Sequence, residues 1–458
     1  MANAHDPLFT FDTVFPRQLP GAAARVLHLY RQLRAFERFA PDKQNATMAA
    51  QLNHLLRHAK IRSPFWAERL SAWKPGGAAP FDVLNGVPIL TRNDLQGDRQ
   101  RLICDFPERE ALGILTHTSS GSTGTPVSVE LSRTLFTPLY QAVAMMGADW
   151  HGFDPKKPLG VVGSKEKDRD RVVLGPPFIW FGLVAEGFTC STLNRDISEV
   201  YDFCAKRAPA YLQAGPQVFR KLANYALSAG RSELRFERAF TLGSSVTEDI
   251  RDVVRRGLGA EIVDRYSCEE TGYIALQCPK HHYYHAVSPA TYVEIVDKSG
   301  APCPPGEPGR VLLTNPQSYA MPLIRYDIGD MAEWGAPCDC GSTLPVIAKL
   351  WGRIRHNIIT PDGRETFAGI YARDFADIEG LLEYRFVLHQ NAIVVAQLKT
   401  SRVSPEIGAA VTQKVQAALR YPYPVRIRYV DEIDWGTSWK QENFAVSDAA
   451  PPEASPVL

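Results

Sequence analysis

No apolar run in this chain approaches the about 20 residues that a bilayer demands, so no membrane-spanning helix is expected. An excess of one charge is missing as well. Lys and Arg number 51 against 50 Asp and Glu, a net charge of +1, which removes the electrostatic case for nucleic acid or an anionic membrane as partner. Cysteine is scarce: eight in 458 residues make no disulfide scaffold. The opening Met1-Ala2-Asn3-Ala4-His5-Asp6-Pro7 has no basic region followed by an apolar one, so no secretory leader is expected and the cytoplasm is the default compartment. The length exceeds one small core and suggests a large domain with a smaller one. Oligomeric state is not legible in one sequence, although a homodimer is the commonest soluble assembly.

What is present is concentrated first in Thr118-Ser119-Ser120-Gly121-Ser122-Thr123-Gly124-Thr125-Pro126, between apolar Leu112 to Leu115 and alternating Val127-Ser128-Val129-Glu130. Its glycines reach backbone angles closed to other residues, so successive N–H groups can converge on one anion while hydroxyls donate to further oxygens. That is a phosphate loop in outline; a polar hairpin turn is the plainer alternative. It is not a Walker sequence, because no Gly-Lys-Ser/Thr follows.

Around the loop, apolar periodicity predicts a helical layer from Ala22 to about Trp73, with Ser63-Pro64 starting one helix and Thr91 capping another. Arg133 to Trp150 reads as a helix and Leu159 to Val162 as a strand. Helices follow at Ile197 to Arg207 and Gln217 to Ala229, then a strand at Ala239 to Leu242, a helix at Val246 to Leu258 and a strand at Glu261 to Val263. Strand, helix, strand at this spacing implies a helix-covered parallel sheet, an α/β fold. Ligands gather at the carboxyl ends of such strands, where Asp264-Arg265-Tyr266-Ser267-Cys268-Glu269-Glu270-Thr271-Gly272 follows. Further on stand Ile324-Arg325-Tyr326-Asp327-Ile328-Gly329-Asp330 and Trp351-Gly352-Arg353.

These four motifs, in this order, resemble the adenylate-forming superfamily, and the chain is most similar to its phenylacetate-coenzyme A ligase branch. The resemblance implies a large domain over 1–353 and a small mobile α+β lid over 354–446. It implies ATP held by Ser119, Ser120, Gly121, Ser122, Thr123, Gly124 and Thr125, with Gly243-Ser244-Ser245 lining the acyl and adenine side. Tyr266 would stack on adenine, Asp330 accept both ribose hydroxyls, and Arg353 reach ribose or phosphate with its planar fork. Glu270 would hold Mg²⁺, a hard cation suited to a carboxylate. Ser267 and Glu269 depart from the commoner Gly and Thr, and Arg355 stands where the hinge Asp or Lys is usual. Lys440, in Gly436-Thr437-Ser438-Trp439-Lys440-Gln441, is the candidate lid lysine, with Trp439 in place of the usual Gly. Thr118, Glu270 and Lys440 form the expected catalytic set.

Cys278-Pro279-Lys280-His281 and Cys338-Asp339-Cys340-Gly341 supply four soft or borderline ligands in two pairs, which fit structural Zn²⁺. His282 and His285 compete with His281 for the fourth place, and unrelated reduced cysteines are the alternative. After Arg353, helices are expected around Tyr371 to Leu382 and Pro405 to Leu419, and strands at Tyr384 to Leu388, Ala392 to Leu398 and Val425 to Val430. The Pro/Ala-rich 447–458 is expected to be disordered.

The activity implied is attack of a carboxylate, aryl or otherwise apolar, on the α-phosphorus of Mg-ATP, then transfer of the acyl group to coenzyme A. Transfer to an amine, hydroxyl or carrier-protein thiol is the alternative. A third is a nucleotide-binding partner protein without catalysis.

Overall fold

The computed structural model describes residues 21–118, 127–154, 156–163, 170–174, 186–193, 195–241, 243, 246–353, 357–367, 370, 375, 377–433 and 443–452. The chain divides into two compact units. One comprises Met1–Gly215, Glu233–Gly243 and Ala260–Arg353; the other Pro216–Ser232, Ser244–Gly259 and Ile354–Leu458. The smaller unit therefore takes two segments that chain order had assigned to the large domain. Their helices, Pro216–Ser228 and Glu248–Leu258, pack so closely that a Cβ on Gly257 would meet the Ala223 carbonyl oxygen at 2.5 Å. An Arg220–Asp249 ion pair crosses the same contact.

The larger unit opens with helices Gly21–Phe36, Pro41–Arg62 and Pro64–Arg69. The second buries Leu52, Leu55, Leu56 and Ala59, spaced three and four apart on one face. Ser63 accepts from the Trp66 amide at 3.3 Å, and Thr91 forms a full capping box with Asp94, so both expected caps are made. Fully buried Trp66 donates its indole N–H to the Pro322 carbonyl at 3.0 Å, tying the helical layer to the core.

Strands β1 (Ile114–Thr118) and β2 (Ser128–Ser132) form an antiparallel hairpin, and helix Arg133–Trp150 follows, at the bounds its sequence suggested. A six-stranded sheet comes next, from β3 (Leu159–Gly163), β4 (Arg171–Leu174), β5 (Glu186–Ser191), β6 (Tyr211–Ala214), β7 (Arg238–Thr241) and β8 (Glu261–Val263). Its order is β4-β5-β3-β6-β7-β8, parallel except for β4 against β5.

A seven-stranded sheet follows, which the strand-helix-strand pattern did not anticipate: β9 (Arg265–Cys268), β10 (Gly272–Gln277), β11 (Tyr284–Ala286), β12 (Tyr292–Val296), β13 (Pro308–Thr314), β14 (Tyr326–Trp334) and β15 (Val346–Arg353). It is antiparallel throughout, in the order β12-β13-β14-β15-β11-β10-β9. The order brings the second motif, on β9, to one edge of a sheet that carries the third on β14.

Between β13 and β14 the chain turns through Arg325, a non-glycine residue at φ +50. Its buried guanidinium fixes the turn. Nε donates to both Glu294 oxygens (3.1 and 3.2 Å), and the terminal nitrogens donate to the carbonyls of Val87 (2.9 Å) and Gly300 (3.0 Å). Its own amide donates to Thr314 Oγ1 at 2.9 Å. Burial raises the Glu294 carboxyl above its ordinary range, and the adjoining guanidinium opposes that rise.

In the smaller unit, β16 (Asn357–Ile359) pairs with β17 (Glu365–Phe367), and a four-stranded sheet holds β18 (Leu381–His389), β19 (Ile393–Thr400), β20 (Val425–Tyr429) and β21 (Phe444–Ser447). Its order is β20-β19-β18-β21, with β18 and β19 antiparallel and both outer pairs parallel. Helix Pro405–Leu419 buries Ile407, Val411, Val415 and Leu419 in a core with Phe386, Leu388 and Leu398.

Two expectations are corrected here. The helix proposed to reach Leu382 does not: Gly380 turns at φ +87 and β18 begins at Leu381, while 371–374 and 376 lie outside the described residues. Nor is 447–452 loose. Ser447 pairs with His389, whose Nδ1 donates to the Ala449 carbonyl (3.1 Å), and Arg426 donates to the Pro452 carbonyl (2.9 Å). Among the described residues no helix is long and apolar enough to cross a membrane.

The Arg325 clamp yields a double-mutant test. Glu294→Gln leaves a buried guanidinium without its anion and is expected to cost about 3–5 kcal/mol in urea unfolding, whereas Arg325→Met with Glu294→Leu, which removes both charges, costs less.

Candidate active site

The phosphate-loop residues Ser119, Ser120, Gly121, Ser122, Thr123, Gly124 and Thr125 lie outside the described residues, but the stem that presents them is clear. Thr118 and Ser128 are register partners at the mouth of the β1–β2 hairpin, their hydroxyl oxygens 2.9 Å apart. One residue back, His117 Nδ1 lies 3.2 Å from the Glu269 carbonyl oxygen, and its ring meets Phe136 edge-on. The mouth of the loop is thereby fastened to the segment that carries the acidic pair.

That segment is the β9–β10 turn. Glu270 is 2% exposed, and among the described residues no donor reaches its Oε2. A buried carboxylate oxygen without a donor is costly unless a cation or ligand completes it. Tyr266, on β9, donates its hydroxyl to Asp330 Oδ2 on β14 at 2.5 Å, both side chains being buried. The sheet thus joins two residues that are far apart in sequence. Asp330 also stands in register with the backbone of Arg353 on β15, so the third and fourth motifs face each other across one rung of the ladder. Gly329, at φ +80, makes the bend before Asp330, and its amide is held by Asp327 Oδ1 at 2.9 Å. Gly243, after β7, also has a positive φ, of 89°. Ser244, Ser245, Arg355 and Lys440 lie outside the described residues.

The cysteine pairs do meet. Cys278, Cys338, Cys340 and His285 place their sulfur and nitrogen atoms within 4.8 Å of one another. The histidine is His285, not His281. His281 Nε2 instead faces Asp339 Oδ1 at 2.7 Å, at the exposed rim, whereas buried His285 sets Nε2 3.3 Å from Cys340 Sγ. Nδ1 of His285 lies 3.1 Å from the Leu344 carbonyl, which can only accept, so the proton sits on Nδ1 and the Nε2 lone pair faces the thiols. Burial holds this imidazole below its ordinary pKa, in the neutral form that binds metals. Backbone amides of Lys280, Cys340 and Ser342 point at the three sulfurs from 3.3 to 3.5 Å, an arrangement that favours thiolates.

A family model described as AMP-binding enzyme matches residues 107–321, the stretch that runs from the loop stem through the acidic pair to just before Arg325. Phenylacetate-coenzyme A ligase of Thermus thermophilus is 26% identical over 334 residues, covering 68% of this chain and 71% of that protein. These matches make the chain similar to enzymes of the adenylate-forming superfamily. The phenylacetate-coenzyme A ligase of Escherichia coli K12 is likewise similar, 23% identical over 335 residues, 66% of this chain and 70% of that one. The fold matches 2-hydroxyisobutyryl-CoA ligase in its postadenylation state with 2-HIB-AMP, at a TM-score of 0.71, 17% identity and 96% coverage of both chains. It also matches an anthranilate CoA ligase bound to anthranoyl-AMP, at 0.53, 14% identity, and 91% and 94% coverage.

One buried-facing cation near these motifs escaped sequence reading. Arg265 precedes Tyr266, and strand alternation sends it to the opposite face, where it binds Gln213, Thr241 and Tyr273. The signal was there in the alternation, but no motif marks it.

The Tyr266–Asp330 bond predicts that Tyr266→Phe, which leaves a buried carboxylate short of a donor, lowers stability by about 1.5–3 kcal/mol in urea unfolding while far-ultraviolet circular dichroism stays unchanged.

Proposed function

We propose that the protein activates an aryl or other apolar carboxylic acid with ATP and passes the acyl group to coenzyme A. A substrate carboxylate oxygen attacks the α-phosphorus, a P–O bond forms to give acyl-AMP, and the bond to pyrophosphate breaks. The coenzyme A sulfur then attacks the acyl carbon; a C–S bond forms, the C–O bond to AMP breaks, and the thiol proton passes to solvent. The observation that carries this reading is the joining of Tyr266, Asp330 and the β15 backbone on one sheet beside the Thr118 hairpin and Glu270.

In this reading Asp330 accepts from the ribose hydroxyls, Tyr266 packs on the adenine, and the loop 119–125 with Gly243, Ser244 and Ser245 surrounds the phosphates and acyl group. Arg353 and Lys440 bring cationic donors to the developing charge. The unmet Glu270 oxygen fits Mg²⁺, which when bound neutralises phosphate charge. The small domain over 354–446 acts as the lid, exchanging Lys440 between the two half-reactions. The Cys278, His285, Cys338 and Cys340 set fits structural Zn²⁺, with no place left for water. Eight free cysteines support a reducing, cytoplasmic setting.

Pyrophosphate-ATP exchange across aryl, aliphatic and amino acids tests the chemistry. One acid class should support exchange, and Lys440→Ala or Glu270→Gln should lower it about 100-fold or more. ATP binding without exchange by any acid would overturn the reading in favour of a non-catalytic nucleotide-binding protein. For the metal, elemental analysis should find one zinc per chain, lost in Cys338→Ser and in His285→Ala but kept in His281→Ala. Purified protein that lacks zinc and gains no thermal stability from added Zn²⁺ would refute the site.

A further inference from the structure

Arg265 carries a permanent charge that no described carboxylate pairs with. Its three described partners are neutral: Nε donates to the Thr241 carbonyl at 3.1 Å, one terminal nitrogen to the Tyr273 hydroxyl at 2.9 Å and the other to Gln213 Oε1 at 2.8 Å. A guanidinium has five N–H groups, so one on each terminal nitrogen is not used by these bonds. The residue lines a cavity whose other walls include Ala144, Phe153, Gln213, Phe240 and Asp264, the last with both carboxylate oxygens taken by Thr241 and Tyr284. Unused N–H groups of a guanidinium in such a cavity favour a ligand that brings an accepting oxygen.

Its position in the fold says which ligand. Gln213, Phe240 and Thr241 stand at the carboxyl ends of β6 and β7, where ligands of parallel sheets collect. On β9, Tyr266 turns to Asp330 and the nucleotide side, while Arg265 turns the other way. The guanidinium therefore stands on the face of β9 away from the ribose pair, at the carboxyl ends of β6 and β7. The cavity holds about 20 Å³, room for one oxygen-sized group rather than for the body of an acid.

Resting on the adenylation reading, we propose that Arg265 is a specificity-determining residue: it receives an anionic or hydrogen-bond-accepting oxygen at the distal end of an aryl carboxylic acid. The cavity admits only the tip of the acid, and the guanidinium selects it. An acid without that oxygen leaves the guanidinium unmet, and sites built to hydrogen-bond a substrate group discriminate strongly against analogues lacking it.

The test compares phenylacetate, 4-hydroxyphenylacetate and 4-carboxyphenylacetate in pyrophosphate exchange, with wild type, Arg265→Met and Arg265→Lys. Wild type should favour the substituted acids over phenylacetate by at least about 10-fold in kcat/KM. Arg265→Met should abolish that preference chiefly through KM while keeping its kcat with phenylacetate, and Arg265→Lys should restore part of it for the carboxylate. Equal loss of all three acids in Arg265→Met, with a lowered melting temperature, would show a merely structural tie and overturn the proposal. If that variant fails to fold, the wild-type ranking decides, and phenylacetate as the best of the three refutes it. Exchange by simple acids with no change in the variant sinks this inference alone; no exchange by any acid sinks the adenylation reading and this inference with it.

Discussion

A guanidinium taken out of water must find acceptors on every side, and that of Arg325 finds them in three separate stretches of chain. Glu294 comes from β12, Val87 from the loop before Thr91 and Gly300 from the loop after β12, while Thr314 at the end of β13 takes the Arg325 backbone amide. These contacts hold a left-handed turn that an ordinary side chain adopts only at a cost. The backbone continues the grip, since the Leu90 amide donates to the Arg325 carbonyl and the Asp327 amide to that of Leu90. Everything that β14 contributes to the site follows from where this turn releases it.

From there the site is built by pairing. β14 carries Asp330 to the Tyr266 hydroxyl and to the rung opposite Arg353, while the hairpin of β1 and β2 approaches through His117 and Glu269. The Thr118 hairpin, the Glu270 turn and the Tyr266–Asp330 pair thus sit on different elements of the fold. Such division suits a reaction in which geometry supplies much of the rate. The thiol and imidazole cluster works at another corner of the same sheet, joining the turn after β10 to the loop between β14 and β15.

Sequence reading went far where the signal is local. The bounds of helix Arg133–Trp150, the caps at Ser63 and Thr91, and strand Glu261–Val263 follow from periodicity and cap chemistry over a few residues. It failed where partners are distant. Three histidines lie close together after Cys278, and only burial of β11 distinguishes His285 from His281. Nothing near Arg325 announces Glu294, and Arg265 lies hidden beside the motif residue that drew the eye. The helix expected up to Leu382 fell to one glycine, Gly380, whose backbone angle ends any continuing spiral.

The smaller unit has a property that bears on how the chain is made. β18 is an interior strand whose two neighbours are added at different times: β19 follows immediately, but β21, on the other side, is supplied by residues 444–447. During synthesis β18 therefore waits with one edge open, displaying the backbone beside Phe386 and Leu388. An unpaired strand edge next to apolar side chains is a template for another chain. Crowded ribosomes and fast expression should penalise this protein at that stage, and a nascent chain halted before Phe444 would be its most aggregation-prone form.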